Sequence, residues 1–324
     1  MAANALYRAV TSQISGRIGR SASAVETYRR EGRFQRWLSL VVGVSGAISG
    51  VEVGYMHYRG SYSRRIMYTP VILSTFLFGT GVWAFFSRHA AKTVLPAISA
   101  LTLADSVIGS YFHIRGVQRK PGGWRLPMTN MVMGPPLFAP LLFGISAYLG
   151  IVASFLQADD DFGKIEFPRP AHSRHWAAPL FRHQDRIDWE QDLREGRFQK
   201  HMAVATAIAA GASGIEASYS HYKNNFSYKA QWTPVVIAPL LAAAAVSAVK
   251  SKGMARTWLP ALSSVAILDG AVGFAYHSRG ILRRPGGSKM IAYNLLYGPP
   301  IFAPLLFAAA GFVGLLASLM RREK

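Results

Sequence analysis

The stretch Met131–Gln157, MVMGPPLFAPLLFGISAYLGIVASFLQ, carries no charged residue across 27 positions. A bilayer core takes about 20 apolar residues per helical span, so this stretch is long enough to cross one. Its opening Gly134-Pro135-Pro136, with Phe138-Ala139-Pro140-Leu141-Leu142-Phe143 behind it, returns 164 residues later from Gly298 to Phe307. The same offset carries Arg30-Glu31-Gly32-Arg33-Phe34-Gln35 onto Arg194-Glu195-Gly196-Arg197-Phe198-Gln199. It also carries Thr69-Pro70 onto Thr233-Pro234, Leu95-Pro96-Ala97 onto Leu259-Pro260-Ala261, and Pro121-Gly122-Gly123 onto Pro285-Gly286-Gly287. A register held without a gap over the whole helical region is an internal duplication, which fixes the fold before any single element is assigned.

Working outward from that stretch, further uncharged runs at Trp37–Val51 and Met67–Phe86 predict more membrane-crossing helices. The expectation is an all-α polytopic membrane protein of eight spans, built as two tandem four-helix transmembrane repeats. Spans are expected over 37–58, 67–87, 93–114 and 132–156, then over 201–222, 231–249, 257–278 and 296–319. The fifth is rich in Ala and Gly, and its assignment rests on the repeat. Pro at the openings of spans two, three and four suits the first helical turn, where its missing N–H costs nothing. Small residues such as Gly43, Gly46, Gly50, Ala207, Ala210 and Gly211 permit close helix approach in lipid. The division is an N-terminal interfacial arm over 1–34, a first repeat over 35–157, a connector over 158–200 and a second repeat over 201–320.

Four spans return the chain to its starting side, so the repeats are parallel rather than inverted. The connector holds Asp159-Asp160-Asp161, and Ile187–Arg197 echoes the N-terminal arm as an interfacial helix. Residues 1–34 contain no apolar run of the signal-peptide kind, which sets the expected start of the mature chain near Met1. The formal charge of +20 would suggest nucleic acid in a soluble protein, but here Lys and Arg flank the spans and meet anionic headgroups. Nucleic acid is therefore not an expected partner. The side holding the termini carries 23 of the 36 Lys and Arg residues and the opposite side 13. The positive-inside rule then places both termini in the cytoplasm of a bacterial inner membrane protein. There is no Cys, which excludes disulfides, thiolate metal sites and Cys-attached haem.

Ionisable groups inside spans are costly and are candidate functional residues. Spans one and five hold Glu52, Tyr55, His57 and Glu216, Tyr219, His221; spans three and seven hold Asp105, His113 and Asp269, His277. Glu52 and His57 lie five positions apart, about 140° around a helix and about 7.5 Å along it, so they do not share a face. Asp105 and His113 are separated by about 12 Å along theirs. The expected result is a shallow histidine layer over a deeper carboxylate layer, facing the non-cytoplasmic side.

Two histidines at one depth on different helices can take the two axial positions of a haem iron. The expected cofactor is haem b, held by His57 with His113 and by His221 with His277. Tyr55 and Tyr219 would line the site, Arg115 and Arg279 would meet the propionates, and Glu52, Asp105, Glu216 and Asp269 would handle protons. In architecture this is similar to membrane bis-histidine cytochromes and haem A synthase, though no motif of either family is present. The function this implies is a membrane subunit of a redox complex, passing electrons between a quinone and an extracytoplasmic partner. The alternatives are a non-haem iron, copper or zinc site on the Glu/Asp/His sets, or a transporter or assembly scaffold whose buried polar groups only lock helices together.

Other features weigh less. Asn130 and Asn294 precede Gly-Pro-Pro and are expected to cap the fourth and eighth spans. The hairpins Arg115–Gly123 and Arg279–Gly287 offer a basic docking surface for an acidic partner or phospholipid. His172, His175 and His183 lack metal-ligand spacing and read as solvated.

Overall fold

A computed structural model describes residues 32–155 and 197–320, together with Ser12, Gln13, Ser21 and Ala24. Most of the interfacial arm with the chain's start, most of the connector with its expected interfacial helix, and the three connector histidines lie outside the described residues.

The described residues are helical, with no strand among them. The first half runs α1 (Arg33–Arg59), α2 (Thr69–Phe86), the short α3 (Arg88–Lys92), α4 (Val94–Gln118), the short α5 (Pro127–Val132) and α6 (Ala139–Phe155). The second runs α7 (Arg197–Lys223), α8 (Thr233–Lys250), α9 (Lys252–Arg256), α10 (Trp258–Leu282), α11 (Ile291–Tyr297) and α12 (Ala303–Leu319). Among the described residues, five helical segments are long and apolar enough to cross a membrane: Arg33–Arg59, Arg65–Phe86, Arg88–Gln118, Lys229–Lys250 and Trp258–Leu282. Ala303–Leu319 is apolar but shorter, at 17 residues, or about 25 Å.

Which residues face inward explains why these helices belong in lipid. On α4 the buried positions are Leu95, Ser99, Thr102, Ser106, Ser110 and Val117, a stripe at helical spacing composed largely of hydroxyls. On α1 they include Ser39, Val42, Gly43, Gly46, Ser49 and Gly50. Many large apolar side chains point outward, among them Trp37 at 59% exposure and Phe86 at 74%. In water so much exposed apolar surface would drive association; in a bilayer it meets lipid while the small residues let helices close on one another. One close approach joins α1 and α2, where a Cβ on Gly81 would lie 2.6 Å from the Cα and N of Gly43.

Within each half, α1 packs along α2 and α6, and α4 along α6; α7, α8, α10 and α12 repeat the pattern. Between the halves α6 meets α7 and α12, α5 touches α7, and α11 touches α1. The last two contacts exchange equivalent elements, as expected across a two-fold axis.

The single helix expected over 132–156 is broken. Between α5 and α6 the chain runs as a non-helical strap over residues 133–138, and residues 298–302 form its counterpart before α12. Pro135 and Pro136 provide no N–H and their rings clash with the preceding helical turn, so the helix cannot continue through them. Asn130 and Asn294 also differ from expectation. Neither caps the following helix. The amide nitrogen of Asn130 donates to Pro121 O at 3.0 Å and Gly123 O at 2.7 Å, and Asn294 does the same to Pro285 and Gly287. These bonds fasten the Pro-Gly-Gly turns, in which both glycines have positive φ (Gly122 +80°, Gly286 +79°).

Candidate functional site

His57 sits in the last turn of α1 with its Nδ1 2.6 Å from Met67 O, in the 3-10 turn that leads into α2. His113 on α4 reaches the strap, with Nδ1 2.5 Å from Pro136 O. His277 on α10 makes the matching bond to Pro300 O at 2.6 Å. A carbonyl only accepts, so Nδ1 is the donor in each of these bonds, which in a neutral imidazole leaves Nε2 as the ring's acceptor. The strap carbonyls are open to the histidines for a reason legible in the chain. Four residues on, where a helix would supply the donor, stand Pro140 and Pro304, which have no N–H.

The fourth histidine departs from this pattern. His221 contacts the Phe226 ring at 6.3 Å between centroids and the His277 ring at 6.5 Å, the latter nearly perpendicular at 88°. His57 and His113 likewise lie within electrostatic reach of one another. In the second half the two imidazoles thus stand side by side.

The carboxylates divide into two roles. Asp105 accepts from the Thr69 hydroxyl at 2.6 Å, tying α4 to the first residue of α2, and Asp269 bonds Thr233 in the second half. Asp105 is also near enough to His57 to interact with it electrostatically. Glu216 and Tyr219 face the other half. Glu216 Oε2 accepts from Phe138 N at 2.8 Å, the Tyr219 hydroxyl accepts from Leu137 N at 3.0 Å, and Tyr219 bonds Glu216. Glu52 and Tyr55 repeat the arrangement: Tyr55 donates to Glu52 at 3.2 Å, and the pair receives Phe302 N and Ile301 N. The amides so held immediately precede Ala139 and Ala303, where α6 and α12 begin. They are donors that a helix start leaves without an intrahelical partner.

The Arg115 guanidinium bonds the Tyr111 hydroxyl at 3.2 Å, one turn back on an exposed face, and Arg279 lies in the last turn of α10. No three His, Asp or Glu side chains converge among the described residues, so the compact Glu/Asp/His metal set is not assembled there. Each half brings together two imidazoles. Sequence reasoning missed Thr69 and Thr233, the carbonyls of Pro136 and Pro300, and the amides of the straps. The Pro140 and Pro304 spacing was the signal available for the carbonyls; nothing local marks the amides, because their partners lie in the other half. Compared with models of known protein families, with curated proteins and with solved structures, the chain matches none.

Proposed function

We propose that this chain is an eight-span inner-membrane subunit of a redox complex, with its termini in the cytoplasm, and that the histidine pair of each half holds one haem b. The span count takes α5, strap and α6 as one broken crossing, α11 with α12 as its equivalent, and α7 as a crossing rich in small residues. The observation that carries the reading is the set of Nδ1 bonds to backbone carbonyls at His57, His113 and His277. Metal-bound histidines characteristically donate their second ring nitrogen in this way, which fixes the tautomer and aims Nε2 at the metal. A bis-histidine haem takes two axial imidazoles and no third protein ligand, which is the donor set each histidine pair would supply. A metal–imidazole bond is about 2 Å long, so rings 6.5 Å apart are within reach of one ion between them.

When bound, haem supplies one-electron transfer. The residues of this chain would hold it, orient it and set its surroundings. The carbonyls of Met67, Pro136 and Pro300 fix three of the imidazoles, and Asp105 gives the first-half site a nearby carboxylate. Both histidine pairs lie at the end of the bundle away from the start of α1 and the end of α12, which suits exchange between a bilayer quinone and an extracytoplasmic partner. A scaffold is the second reading, favoured by the engagement of Glu52, Asp105, Glu216 and Asp269 in internal hydrogen bonds. The test is the visible spectrum of protein purified from membranes, with and without His113→Ala and His277→Ala. A Soret band that falls by about half in either variant supports haem in both halves. A colourless protein, with metal analysis also negative, leaves the scaffold.

A further inference from the structure

The bonds on each strap come from opposite halves of the molecule. On the first strap, Pro136 O receives the imidazole of His113 from its own half. The next two residues, Leu137 and Phe138, give their N–H groups to Tyr219 and Glu216 of the second half. On the second strap, Pro300 O receives His277, while Ile301 and Phe302 give theirs to Tyr55 and Glu52 of the first. Three consecutive residues are therefore fixed between a histidine on one side and a Glu–Tyr pair on the other. Every donor and acceptor in one set lies 164 positions from its equivalent in the other, so the exchange is reciprocal. Peptide planes are rigid and Pro136 and Pro300 have a fixed φ. Holding the amides of residues 137 and 138 thus limits where the carbonyl of residue 136 can point.

We propose that the Glu–Tyr pair of each half is the positioning element for the histidine of the other: Glu216 with Tyr219 orients His113, and Glu52 with Tyr55 orients His277. Neither half then completes its histidine site alone, and a change in one half is felt at the site of the other. The assignment concerns the imidazoles themselves; its bearing on activity rests on the haem reading above.

The test is nitrogen NMR of the full chain, labelled at histidine and held in lipid nanodiscs, with signals assigned by single His→Asn variants. In the parent protein His113 and His277 should each show one tautomer, protonated on Nδ1. Glu216→Ala should convert the His113 signal to a mixture of tautomers and leave His277 unchanged; Glu52→Ala should do the reverse. Glu216→Gln keeps an acceptor for Phe138 N and should restore the single tautomer at His113. If an alanine variant fails to fold, Tyr219→Phe and Tyr55→Phe remove only the hydroxyl that holds the amide in the same peptide plane as the strap carbonyl, and should give the same crossed pattern. A pattern confined to the mutated half, an equal response at both histidines, or no response in folded protein overturns the proposal. A colourless preparation would remove the haem reading while leaving this pattern to be judged by itself.

Discussion

Replacing Tyr219 with Phe removes one oxygen from a place that has no substitute for it. Tyr219 is 7% exposed and Leu137 9%, and the hydroxyl accepts from Leu137 N at 3.0 Å while bonding Glu216. Hydrogen bonds between membrane helices average only about 0.6 kcal/mol, because the unfolded state in lipid finds other partners. Leu137 N–H has fewer alternatives: it follows Pro135-Pro136, which prevent the helix that would satisfy it. A buried donor left unpaired costs about 1–3 kcal/mol. The expected loss is therefore about 2 kcal/mol, roughly a 30-fold shift in the unfolding equilibrium. Glu216 also loses a donor, so Tyr219→Phe and Glu216→Gln should couple in a double-mutant cycle by about 0.5 kcal/mol or more. The assay is unfolding in mixed micelles titrated with dodecyl sulfate, followed by tryptophan fluorescence. Tyr55→Phe should behave alike, because the same bonds recur there. A change under about 0.5 kcal/mol at both tyrosines, the level of an ordinary surface substitution, would refute the reasoning.

Two further outcomes follow from the packing. Gly81→Ala places a Cβ 2.6 Å from Gly43 backbone and 2.7 Å from Ser39 O, so α1 and α2 must separate at a cost of about 1–3 kcal/mol; an unchanged unfolding midpoint would show that the crossing is looser than described. Asn130→Ala removes both side-chain bonds to the Pro121-Gly122-Gly123 turn, worth about 1 kcal/mol each, and should speed tryptic cleavage at Arg119 and Arg125 several-fold, with an unaltered rate counting against the anchoring role.

The membrane character, the helical class and the histidine positions were legible in the chain, because lipid enforces local rules. A spanning segment must be long, apolar and internally hydrogen-bonded, and an ionisable residue within it stands out against that background. The helix break was legible only in part. Gly134-Pro135-Pro136 was plainly a repeated element, yet the uncharged length of Met131–Gln157 argued for one continuous helix. The conformational restriction of two successive prolines outweighed the hydropathy, giving α5, strap and α6. For Asn130 the cap preference of asparagine pointed forward along the chain, whereas the carbonyls its amide reaches lie behind it in the Pro-Gly-Gly turn.

By itself the sequence determined the recurring elements and which ionisable side chains would be withdrawn from water, since periodicity and charge are properties of a segment. It grouped Glu52 with His57 and Glu216 with His221 because they share a helix. Tertiary structure alone decided their partners: Glu216 and Tyr219 turn to Phe138 and Leu137, in the strap whose Pro136 carbonyl His113 occupies. The physical reason is that an amide freed by a helix break must be satisfied by whatever polar group packs against it. Here that group lies 78 to 82 residues away along the chain, at a distance no local pattern records.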